Sequence, residues 1–340
     1  MSSGSQRRQV LLLPWAALSL PQLTQARASS ATSHAEEAWP NWPNRPIRVL
    51  LVYPAGGISD LVARSLAATL SARLGQAVLI EHRPGAGGAT GIEELARAPA
   101  DGYTFAFSAI TPLSLTPLLR RTHYDPLRDI LPVAGVMHTP MLLVATPAFS
   151  GRDLAAVLRT ARDQPGRLRW ASSGMGTTGH LVLEQLQAAE GVRFSHIPYK
   201  GGGQQLGDAI SGQFELLSTN LGPQQLQYLR KGQLRALAIG APQRLSSLPE
   251  VPSFAELGYP NANLASLFGV FAPAGLSPVL LQRVNHEINL ALQHSEMQAR
   301  LRSIDNLPAL GSPADFSRLI SQATARNRRL LENGRLMEDD

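Results

Sequence analysis

Short apolar runs alternate with stretches of helical period along most of this chain, beginning near residue 47. Residues 47–53 (IRVLLVY) form one such run, the pattern of a strand buried in a parallel sheet. Leu61, Val62, Leu66, Leu70 and Leu74 then recur at the helical period, and Gly75 follows as a stop. The same alternation predicts strands over 77–81 and 103–107, with a helix over 91–98 between them. Further strands are expected over 141–146, 168–171, 194–197, 214–218 and 236–241, with helices between most of them. Residues 278–293 and 312–332 have the pattern of long amphipathic helices. Strands alternating with helices predict α/β lobes built on mostly parallel sheets with flanking helices. In such sheets, ligands sit beyond the carboxyl ends of the strands, where loops lead into helices.

The first residues follow a different rule. Arg7 and Arg8 precede a short apolar stretch over 10–20, no acid occurs before Glu36, and Ala26-Arg27-Ala28 offers a small-x-small cleavage site. This is the pattern of a secretory signal over 1–28, with Arg7-Arg8 leaving both the general and the twin-arginine routes open. Residues 29–43 then read as a linker. With 44% hydrophobic and 16% charged residues, the remainder has ample material for a core. The formal charge is +6, of which three units sit on the leader's arginines, too little afterwards to argue for nucleic acid. Without cysteine there is neither a disulfide nor a lipidated Cys, so the expected product is a protein free in the periplasm.

Three strand-to-helix loops carry the candidate chemistry. The first spans 54–60 and includes Gly56, Gly57, Ser59 and Asp60. The second spans 172–180, with Ser173, Gly174, Gly176, Thr177 and His180, and the third contains Lys200 and Gly201. Glycine lets backbone approach a ligand, and the helix that follows presents unpaired N–H groups at its positive end. Each loop is therefore a plausible anion cradle, and equally an ordinary capped turn. Asp60 would repel a carboxylate unless it caps its own helix or meets an ammonium, hydroxyl or water.

Other chemistry finds less support. Residues 174–179 match GxGxxG after a strand, but no acid follows the next strand to hold a ribose, so a dinucleotide site is incomplete. There is no GxSxG elbow, and Ser173 near His180 lacks a third partner. The eight histidines show no HxH or HxxxH spacing, which leaves a metal site unsupported. No cofactor is expected. An exported α/β enzyme using the Ser173/His180 loop, or a nucleotide at the GxGxxG segment, stands as the alternative function.

The ordered segments Asn44-Arg45-Pro46, Tyr53-Pro54-Ala55-Gly56-Gly57, Glu81-His82-Arg83-Pro84-Gly85, Asp101-Gly102-Tyr103-Thr104, Pro198-Tyr199-Lys200-Gly201-Gly202 and Leu248-Pro249-Glu250-Val251-Pro252 have a familiar spacing. Over roughly 43–335 the chain resembles the Bug family, the extracytoplasmic solute receptors of tripartite tricarboxylate transporters. The resemblance implies a two-lobed periplasmic-binding fold of type II with crossing hinge strands. Lobe 1 would comprise 44–143 and 267–340, and lobe 2 would comprise 144–266. It further implies a monomer that binds a small carboxylate and catalyses nothing, with membrane transporter subunits as partners. Family ligand contacts would fall on 56–60, on 173–177 with His180, and on 200–202. Thr219 stands where the family often has an acid, so it would change what is accepted at the distal end of a ligand.

Overall fold

The computed structural model describes residues 41–332, so the expected leader and most of the expected linker lie outside the described residues. The chain begins its fold with β1 (Ile47–Leu51), followed by α1 (Ile58–Leu74), β2 (Val78–His82), α2 (Ala89–Ala96) and β3 (Thr104–Ala109). Gly75 ends α1 in the left-handed conformation, its N–H bonded to Ser71 O. Two helical turns, α3 (Thr111–Ser114) and α4 (Thr116–Leu119), lead to β4 (Ile130–Ala145), a strand of 16 residues. Next come α5 (Leu154–Asp163), β5 (Arg169–Ser172), α6 (Thr178–Glu190), β6 (Ser195–Pro198), α7 (Gly202–Ile210), β7 (Leu216–Asn220), α8 (Pro223–Arg230) and β8 (Arg235–Gly240). The chain closes with β9 (Ala265–Pro273), α9 (Pro278–Gln293), α10 (Ser295–Arg302), the short β10 (Leu307–Pro308) and α11 (Pro313–Glu332).

All ten strands join one sheet in the order β2-β1-β3-β9-β4-β7-β5-β6, with β8 and β10 also pairing β4. The outer strands run parallel: β1 with β2 and β3, and β5 with β6 and β7. β4 and β9 join the two groups antiparallel. β4 changes partners along its length. From Ile130 to Pro140 it pairs with β9, and from Met141 to Ala145 it lies between β7 and β8. The crossing strands therefore divide one curled sheet into a half around β1 and a half around β5.

The first stretch of β4 was not predicted as a strand, for a local reason. Pro132, Gly135 and Pro140 interrupt it, and its register shifts between Pro132 and Ala134 and again between Gly135 and Met137. Bulges of this kind tolerate proline and bend a strand. β9 is hidden from the sequence pattern as well. Gly269 breaks its apolar run, and a Cβ there would lie 2.2 Å from Phe316 Cζ and 2.5 Å from Ala134 O. The glycine thus lets β9 pass between its neighbour strand and α11.

Each half has its own packing centre. In the first, Leu66 and Leu70 of α1 and Val284 and Ile288 of α9 close over Val49 and Phe105. In the second, Trp170 is fully buried, stands edge-on to Phe194, and donates its indole N–H to Ser218 Oγ at 3.0 Å. Leu330 and Leu331 of α11 pack against this second core, while Asn327 of the same helix donates to Ser114 O at 3.0 Å. Among the described residues, no helix is long and apolar enough to cross a membrane, and no His/Cys/Asp/Glu cluster could hold a metal.

Candidate functional site

The carboxyl ends of β1, β3, β5 and β7 face one cleft of about 600 Å³, part of it open to solvent. Helices start beyond β1, β5 and β7, and another beyond β6 beside them. Gly57 precedes α1, Thr177 precedes α6, and Gly222 precedes α8, all in extended conformation. Gly201 precedes α7 with φ of 150°. Only Thr177 among these four caps its helix with a side chain, so the first N–H groups of α1, α7 and α8 have no side-chain cap. Pro223 removes one donor from α8. The remaining groups, with the positive ends of the helices, suit the cleft to an anion.

The walls combine apolar surface with neutral polar groups. Tyr53, Ile58, Met141 and Phe268 supply the apolar part, and Ser59, Thr111, Ser173 and Thr178 supply hydroxyls. Asn220, Gln225 and Ser266 line the side nearest β7 and β9. Burial pushes the Tyr53 phenol up to about 12, against hydrogen bonds with Ser108 and Ala109, so it stays neutral. Among the described residues, no Asp, Glu, Lys, Arg or His lines the cleft.

Of the residues singled out from sequence, Gly57, Ser59, Ser173, Thr177 and Thr219 line the cleft. Gly56, Gly174, Gly176 and Gly201 do not line it; they turn the loops that do, with φ of 87°, 129°, 69° and 150°. Two of them also meet the opposite half. A Cβ at Gly201 would sit 2.2 Å from Pro54 Cδ, and one at Gly176 would sit 3.0 Å from Thr116 Oγ1. Gly87 makes a similar approach from the other side, 2.5 Å from Met175 O.

Asp60, His180 and Lys200 do not line the cleft. Asp60 reaches back to accept the Gly56 N–H at 3.0 Å and also meets Arg64 Nε and His82 Nε2, both at 2.9 Å. Burial raises its pKa, but the Gly56 and His82 hydrogen bonds and the Arg64 charge together hold it below the ordinary carboxylate value. Of the roles open to Asp60, the structure thus places it at its own helix start. His180 is buried, accepts the Gly176 N–H through Nδ1 at 3.3 Å, and stacks on His196 at 4.6 Å. No hydrogen bond joins it to Ser173 among the described residues. His196 instead meets Ser172 Oγ at 2.8 Å, bracing the turn behind the cleft. Lys200 is exposed.

The hydroxyls differ in what they have left to give. Thr177 Oγ1 donates to Gly174 O at 2.7 Å and accepts the His180 N–H at 3.4 Å, so it serves as a helix cap with its proton spent. Ser173 Oγ accepts from Gln205 Nε2 at 3.1 Å and keeps its own proton. No hydrogen bond among the described residues occupies the Ser59 hydroxyl. Thr219 Oγ1 is a hub that accepts from Gln225 Nε2 at 3.1 Å and Gln205 Nε2 at 3.4 Å. Sequence reasoning missed Tyr53, Met141, Asn220, Gln225, Ser266 and Phe268. Asn220 and Gln225 flank a strand-to-helix loop with a glycine, the cue that found the other loops, whereas Ser266 and Phe268 sit on the unpredicted β9.

Comparison with known proteins agrees with this geometry. The family model for the tripartite tricarboxylate transporter family receptor matches residues 62–336. The chain is 36% identical to Protein BugT of Bordetella pertussis over 269 residues, covering 78% of this chain and 82% of that one. A Rhodopseudomonas palustris protein solved with adipate superposes with a TM-score of 0.80 at 32% identity, covering 86% of this chain and 98% of that one. The periplasmic binding protein BugD superposes with a TM-score of 0.81 at 26% identity, covering 86% and 99%. These relatives are solute-binding receptors, not enzymes, and the two-lobed periplasmic-binding fold is theirs.

Proposed function

The chain belongs to the tripartite tricarboxylate transporter receptor family, and from that premise we propose that it captures a small carboxylate in the periplasm for the membrane subunits of such a transporter. The observation that carries the proposal is the neutral cleft into which helix starts from both halves of the sheet converge. Backbone N–H groups at helix ends hold an anion without a paired arginine. The adipate bound by the R. palustris relative supports the ligand class. Among the described residues, no base is in contact with Ser173 to support the alternative of an exported enzyme.

Capture by two halves implies motion. Residues 44–143 with 267–332, and residues 144–266, act as lobes that turn about β4 and β9, the strands they share. A ligand that touches both lobes favours the arrangement in which they meet. Titration calorimetry with a panel of organic acids, followed by solution scattering at saturation, tests this. The expected result is binding accompanied by a smaller radius of gyration. An unchanged scattering curve with a verified bound acid would contradict the hinge, and no binding would contradict the receptor.

A further inference from the structure

Among the described residues, the cleft offers a ligand no full charge of either sign. Asp60, the one carboxylate in the three candidate loops, is engaged by the Gly56 N–H, Arg64 and His82 and does not line it. Lys200, the one cation in those loops, is exposed and does not line it either. What remains is the field of helix N-termini, uncapped by side chains at Gly57, Gly201 and Gly222, and that field favours negative charge.

We infer that the cleft takes carboxylic acids without an ammonium group and rejects the amino acids of the same skeleton. The inference rests on the receptor reading and deepens it. An α-ammonium is two bonds from its carboxylate carbon, so helix starts that grip the carboxylate hold the ammonium in the same positive field. Losing water there, it would need a carboxylate partner, and neutral oxygens are poor substitutes. Several of those oxygens are already taken. Thr219 Oγ1 accepts from Gln205 and Gln225, and Asn220 Oδ1 accepts from Ser266 Oγ at 2.7 Å. A hydrogen or hydroxyl in place of the ammonium meets no such penalty.

Titration calorimetry on the mature chain with matched pairs tests this: adipate against 2-aminoadipate, malate against aspartate, glutarate against glutamate, and 3-phenylpropanoate against phenylalanine. The expected result is that at least one acid binds while its amino partner binds about 100-fold more weakly, the effect of one unpaired buried charge. A pair that binds equally, or with the amino acid tighter, overturns the inference and leaves the receptor standing. Binding by no member of any pair overturns the receptor and the inference with it. Thr219→Asp places a carboxylate where two amides already donate, so the gap between acid and amino acid should narrow at least ~10-fold. An unchanged gap in a variant that still binds the acid contradicts the electrostatic explanation.

Discussion

Gly201→Ala should bind its acid ~10- to 100-fold more weakly than the wild-type chain. Gly201 belongs to the half around β5, yet its added Cβ would lie 2.2 Å from Cδ and 2.7 Å from Cγ of Pro54, in the half around β1. A proline ring cannot swing aside, so the overlap is relieved by holding the halves apart. Overpacking of this kind costs about 1–3 kcal/mol, which acts here on closure and therefore on affinity. The φ of 150° adds backbone strain that acts on folding instead. Gly191→Ala separates the two effects. Gly191 ends α6 at φ of 64° with no atom within 4 Å of an added Cβ, so alanine there adds strain without an overlap. Both variants should melt somewhat earlier, and only Gly201→Ala should lose affinity in titration calorimetry. Unchanged affinity in Gly201→Ala would show that this contact plays no part in capture.

Acidification from pH 7 to pH 5 should cost the folded chain about 2 kcal/mol through His180 alone, as its pKa moves between the two states. Burial, then the charge of His196, push its imidazole down to about 3. Unfolded, it returns to about 6.5. Between those values the unfolded chain takes up a proton that the folded chain refuses, so stability is full above about 6.5 and falls with pH at about 1.4 kcal/mol per unit. Glu184 Oε1, 3.5 Å from Nε2, favours the protonated ring, but the desolvation of a side chain only 1% exposed outweighs it. Partial burial moves half-buried His138 the same way and adds to the total. Carboxylates held below their ordinary values, such as Asp60 and Glu215, act mainly below this interval. Urea melts at pH 7 and pH 5 on the wild type and His180→Gln check the claim. The variant should lose about 2 kcal/mol less than the wild type over the interval. Equal losses would remove His180 as the source.

Local chemistry wrote much of this fold into the sequence, and tertiary packing hid the rest. β1 and α9 were legible because an apolar run broken only by Arg48 and a clean helical period admit few other structures. The first stretch of β4 was not, because Pro132 and Pro140 argue against a central strand unless bulges are known to absorb them. The cleft loops were legible since glycine and hydroxyl clusters follow strands and open helices. The direction of a side chain was not. Asp60 could have faced a ligand or its own helix start, and only the positions of His82 and Arg64 decide it. Thr177 and Ser173 look alike in sequence, yet Gly174 O takes the proton of one and Gln205 leaves the proton of the other. Tyr53, just past β1, and Phe268 of β9 meet edge-on at 6.0 Å although β3 lies between their strands, a pairing that depends on the strand order.

A crystal structure of the chain with the tightest-binding acid tests the central claim most directly. The account predicts a carboxylate between the starts of α1 and α6, within about 3 Å of backbone N–H groups or hydroxyls at residues 57–59 and at 173–178. An acid bound elsewhere, or one touching a single half of the sheet, would contradict it.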